Sequence, residues 1–183
     1  MRIMPVIRAI TLFILLASGI ANAQWTTPVA PVIPEADGYV AIPNAAVMPT
    51  KAITYRAIFN ATLAAEKPTQ LVPALNMAGS ELNVLGATGI PLKNAKFVVV
   101  FHGPAMEGIF DDTHYKEKFG VANPNLTVIA NLKKAGVKLF VCGQNLAAEK
   151  IDPASLTPDV IVASDALIVL MKYQNSGYAL MSF

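Results

Sequence analysis

Lys96-Phe97-Val98-Val99-Val100-Phe101, followed at once by His102-Gly103, is the stretch from which the fold can be read. Its apolar residues are continuous rather than alternating. An alternating strand buries one face; an unbroken Val/Phe run is buried on both, as in a parallel sheet covered by helices on either side. Parallel neighbours need crossover connections, so helices are expected before and after it. Upstream, Leu75, Ala78, Leu82 and Leu85 recur at steps of three and four, one apolar helical face. Pro73 fits only the first turn of that helix, and Gly86 and Gly89 close it.

Downstream, Gly103 to Ala122 reads as a long charged connection with a helical turn at Pro104 to Ile109. Asn123 caps a helix with Pro124 at its first position, an apolar face of Leu126, Ile129, Ala130 and Leu132, and Gly136 as its stop. Val137 to Val141 is the next strand, ending on Cys142-Gly143, and Asn145 opens a short helix over Leu146 to Lys150. Asp159 to Ala163 is a further strand. Ser164 caps the last helix, whose apolar face is Leu167, Ile168 and Met171, and Tyr178 to Phe183 closes the chain as a strand. With Ile53 to Phe59 as the first strand, this predicts a three-layer α/β/α domain on a mainly parallel five-stranded sheet, residues 52–183.

Residues 1–23 read as a secretory signal. Arg2 and Arg8 form a basic region, Ala9 to Ile20 an apolar core, and Ala21-Asn22-Ala23 a cleavage site that leaves Gln24 first. The apolar run is about a dozen residues, short of the ~20 of a membrane span. Residues 24–51 carry Pro28, Pro31, Pro34, Pro43 and Pro49 and read as an extended arm. It lies either on its own domain or across a neighbouring subunit. A periplasmic or secreted location follows from the leader.

The 14 basic and 12 acidic residues become 12 against 12 once Arg2 and Arg8 leave with the leader. A chain without net charge or a basic stripe is not built for nucleic acid, and after cleavage no polybasic segment addresses a membrane. No G-x-G-x-x-G, phosphate loop or G-x-S-x-G is present, and no cofactor is implied.

Chemistry rests on Cys142, the single cysteine, and His102. Both follow strands, on the carboxyl edge where open parallel sheets bind ligands. A helix N-terminus from Asn145 and a protonated His102 would each favour a thiolate, making Cys142 the candidate nucleophile and His102 its partner. Cys142 reads equally as a small buried hydrophobe, and His102 as a donor to a backbone carbonyl. His102, His114 and Cys142 offer a third reading, a metal or redox sensor, without any paired-ligand spacing. Asp111-Asp112 and His114 read as solvated. An odd cysteine in an exported chain is reactive, intermolecularly paired or shielded.

The ordered set Phe97 to Pro104, Tyr115 to Gly120, Asn123-Pro124-Asn125, Ala135 to Lys138 leading to Val141 to Leu146, then Asp159 to Ala163 and Lys172 to Ala179 resembles the DsrE/DsrF-like family, closest to an exported single-domain branch. The resemblance implies a three-layer domain that forms homo-oligomers, often trimers or hexamers. It also implies sulfur handling, in which a strand-end cysteine carries a persulfide between a donor and an acceptor protein. Cys142 stands at that position and His102 at the family's recurring His-Gly. The family's sulfur relays are cytoplasmic, whereas this chain carries a leader. A non-catalytic oligomeric binding module is the competing expectation.

Overall fold

A computed structural model describes residues 25–183; the expected leader over residues 1–23 lies outside them. Five strands form one wholly parallel sheet in the order β4-β3-β2-β1-β5. They are β1 (Tyr55–Ala61), β2 (Ala95–Phe101), β3 (Lys138–Cys142), β4 (Ile161–Ala163) and β5 (Ala179–Ser182). Every residue of β2 except Lys96 is buried, as its apolar run requires. β1 begins two residues later than its β-branched composition suggests. Pairing with β2 sets its limits, from Tyr55 opposite Ala95 to Ala61 opposite Phe101, and Ile53 stays exposed.

The helices are α1 (Pro73–Ala87), α2 (Asp112–Phe119), α3 (Asn125–Lys134), α4 (Gly143–Glu149) and α5 (Ala166–Asn175). One face of the sheet, carrying Phe59, Phe97, Val99, Phe101 and Leu139, forms a common core with Leu75, Leu82, Ile129 and Leu132 of α1 and α3. The other, carrying Ile58, Val98 and Val100, packs against Ala166, Val169, Leu170 and Tyr173 of α5. Helices therefore cover both faces, as expected. No described helix is long and apolar enough to cross a membrane.

The core of α1 is the Leu75, Ala78, Leu82, Leu85 stripe, with Pro73 in its first turn. Asn123 accepts the Asn125 amide at 2.9 Å, capping α3 across Pro124, although Ala130 of the expected face is exposed. The charged connection holds a helix that composition concealed. Asp111 caps α2, Asp112 pairs with Lys116 at 2.7 Å one turn on, and Gly120 ends it at φ +74°.

The largest departure is α5. Its cap is Asp165, not Ser164. The expected face of Leu167, Ile168 and Met171 points outward, while Ala166, Val169, Leu170 and Tyr173 are buried. The helix is apolar on nearly every side, so two stripes compete. The one bearing Tyr173 wins, packing its ring on Phe140 and Tyr178.

The arm lies on its own chain over residues 28–38. Val29 bridges Tyr39, and Ile33 is fully buried. Two glycines of α1 make room. A Cβ at Gly79 would sit 2.5 Å from the Ala36 Cβ, and one at Gly86 2.5 Å from a Val32 methyl. Asn83, between them, accepts the Val32 and Ile33 amides and donates to the Ile33 and Asp37 carbonyls.

Candidate functional site

β3 runs beside β2 with Phe101 opposite Val141, so His102 and Cys142 are next in register on neighbouring strands. Side chains alternate along a strand. Val98 and Val100 face α5, and His102 is next on that side. Asn60, opposite Val100, points the same way, and Cys142 belongs to the same cluster. The carboxyl ends of β1, β2 and β3 thus bring Asn60, His102 and Cys142 onto one face beneath the start of α5.

Cys142 is 4% exposed. Its Sγ accepts the backbone amide of Ala166, the first residue of α5, at 3.3 Å. An amide aimed at sulfur from a helix N-terminus stabilises negative charge there. The helix that supplies it is not the expected one. α4 starts at Gly143, directly behind Cys142, and no Asn145 cap faces the thiol. Asn145 lies inside α4 and instead accepts the Gly103 amide at 3.4 Å, tying the loop after β2 to the one after β3.

The His102 imidazole meets a side chain rather than a backbone carbonyl. Its Nε2 lies 2.7 Å from Asn60 Oδ1. A carbonyl oxygen only accepts, so Nε2 carries the hydrogen and Nδ1 is the ring's titrating nitrogen. Burial lowers the pKa of His102 below its ordinary value, partly countered by the negative charge of Asp165. Asp165 accepts the Leu167 amide at 2.8 Å as the cap of α5, so His102, Asp165 and the sulfur converge on one helix end.

Because the folded state resists protonating His102, the unfolded chain binds the extra proton first as pH falls. The imidazole's contribution to stability is then complete above its ordinary pKa of about 6.5 and declines below it. Urea midpoints from pH 7 to pH 5 are expected to fall less steeply in His102→Gln than in the wild type.

Gly143 makes the junction possible. A Cβ there would sit 2.6 Å from the Ala163 carbonyl oxygen, so only glycine lets the β3 end approach the β4–α5 turn. Gln144 also donates to the Ser164 carbonyl at 3.3 Å. His114 is placed in α2, where its Nδ1 meets Asp111 at 2.8 Å. Among the described residues no three His, Cys, Asp or Glu side chains are arranged to hold a metal. Asp111 and Asp112 are capping and ion-pairing groups, their carboxyls held below the usual range chiefly by hydrogen bonds to His114 and Lys116.

Two residues of the site had no role in the sequence reading. Asn60 stands out only as a polar residue at the end of an apolar strand, and Asp165 as one of two adjacent, equivalent capping candidates.

No curated protein matches the chain. Among solved structures, a protein of unknown function from Methanobacterium thermoautotrophicum matches with a TM-score of 0.52 and 19% identity, over 70% of this chain and 99% of that one; this is a likeness of fold. The model of the DsrE/DsrF-like family matches residues 53–183, which span all five strands and all five helices. The chain belongs to the DsrE/DsrF-like family.

Proposed function

We propose that this is an exported sulfur-handling protein in which Cys142 is the sulfur carrier and His102 its proton-accepting partner. The observation that carries the reading is the Ala166 amide aimed at Cys142 Sγ at 3.3 Å, a donor suited to a thiolate and equally to a persulfide anion. In the step proposed, the Cys142 thiolate attacks the terminal sulfur of a persulfide donor. The donor's S–S bond breaks, its thiolate leaves, and a Cys142 persulfide forms. Sulfur changes carriers without an external oxidant. The acceptor reverses the same chemistry. The leader motif at residues 1–23 supports a periplasmic or secreted site of action, and donor, acceptor and further copies of the chain are the partners.

A non-catalytic homo-oligomeric module is favoured by one separate observation, the outward apolar stripe of α5. The metal-sensor reading has only His102 and Cys142 to draw on.

Intact-mass spectrometry after exposure to inorganic polysulfide tests the proposal. The wild type is expected to gain sulfur atoms removable by dithiothreitol, and Cys142→Ser to gain none. A wild type that stays unmodified while its denatured form reacts would sink it.

A further inference from the structure

Seven of the fourteen exposed large apolar side chains among the described residues lie in the last quarter of the chain, between Ile161 and Met181. The face of the sheet under α5 explains the concentration. A ten-residue helix is about 15 Å long and about 10 Å wide, whereas five strands span about 19 Å. One helix cannot cover that face, and Ile161 and Leu180 stand bare on either side. The helix adds its own outer stripe, Leu167 at 58%, Ile168 at 54% and Met171 at 51% exposed. Together these five side chains present roughly 500 Å² of apolar surface, at the upper end for a monomer. A standard interface buries about 800 Å² per partner, so the stripe supplies most of one.

Charge selects the occupant. The stripe is bordered by Asp165 at the start of α5 and by Lys172 in its last turn. Lys172 has no ion-pair partner among the described residues. About a two-fold axis perpendicular to α5, two copies of the helix run antiparallel. An axis passing between Ile168 and Met171 sets Lys172 of one copy opposite Leu167 of the other. That is about 3 Å along the helix from Asp165, within a lysine's reach. The apolar stripes then meet, and the acidic end of each helix faces the basic end of the other.

We infer that α5 is a two-fold interface with a second copy of this chain, and that it carries the partner's Lys172 to the helix end that holds Cys142. This deepens the self-association proposed above and rests on it. The described site contains no lysine or arginine of its own; the second copy supplies one. A two-fold contact yields a dimer, or a hexamer built from trimers, and excludes a lone trimer.

Sedimentation equilibrium of the purified protein tests this, with Ile168→Glu and, as a control, Val47→Glu on the arm, where Val47 is 89% exposed. The wild type and V47E are expected to form the same even-numbered assembly. I168E should fall to half that mass or less with an unchanged circular dichroism spectrum. Lys172→Glu should weaken association. Should I168E fail to fold, oxidative cross-linking of Ile168→Cys gives the same answer, a disulfide-linked pair being expected. A monomeric wild type overturns both self-association and this interface. A wild-type assembly that I168E does not alter, and that I168C does not cross-link, overturns the interface alone. Neither outcome bears on sulfur loading of Cys142, which is read separately by mass.

Discussion

Replacing Asn83 with alanine is expected to lower folding stability by about 3 kcal/mol and to free the arm. The side chain is fully buried in the wall of α1, yet every hydrogen bond it makes leaves the helix. Its Oδ1 takes the Val32 amide at 3.0 Å and the Ile33 amide at 2.8 Å. Its Nδ2 gives to the Ile33 carbonyl at 2.9 Å and the Asp37 carbonyl at 3.1 Å. Truncation strands the Val32 and Ile33 amides and the Asp37 carbonyl of a segment with no strand ladder to pair them, while the Ile33 carbonyl keeps the Ala36 amide at 3.1 Å. A buried polar group left without a partner costs about 1–3 kcal/mol. Water reaches some of these groups once the arm loosens, so the total stays near the cost of one or two. Ile33 then leaves its site over Gly79, and protease cleavage within residues 25–40 should accelerate. A urea midpoint unchanged in N83A, with no gain in cleavage, would mean that the arm is held by apolar contact alone.

Gly143→Ala is the second large effect, and it strikes stability and chemistry together. The added methyl meets the Ala163 carbonyl oxygen 2.6 Å away. That oxygen is backbone, so it cannot rotate aside. The β4–α5 turn must move, and Ala166, three residues on, moves with it. Overpacking of this kind costs about 1–3 kcal/mol. The sharper consequence is that the Ala166 amide leaves Cys142 Sγ. We expect at least a tenfold loss in the rate of sulfur uptake from polysulfide, at a urea concentration of zero where the variant remains folded. A variant destabilised to this degree but loading sulfur at the wild-type rate would show that the amide has no part in the chemistry.

The parallel sheet was legible because Phe97 to Phe101 is apolar without interruption, a pattern that only burial on both faces explains. Cys142 and His102 were legible as strand-end residues for the same reason. What surrounds them was not. The amide on the sulfur comes from Ala166, twenty-four residues along the chain, and local spacing carries no trace of that meeting. The buried stripe of α5 was hidden by its uniform apolarity, and only the packing of Tyr173 against Phe140 and Tyr178 separates its two sides. α2 was hidden by charge. Its caps, Asp111 and Gly120, were nonetheless in plain sight, and reading them before the hydropathy would have found the helix. Asn83 shows the opposite case: a polar residue inside an apolar helical stripe is a signal that something polar docks there.

We propose that Cys142 accepts sulfane sulfur beneath the N-terminus of α5. Cold cyanolysis measures it most directly, since cyanide lifts sulfane sulfur from a persulfide as thiocyanate and leaves a thiol. After polysulfide treatment and desalting, the folded protein is expected to release thiocyanate in proportion to chain concentration, and Cys142→Ser none. Equal thiocyanate from both proteins, or none from either, would contradict a sulfur-carrying role for Cys142.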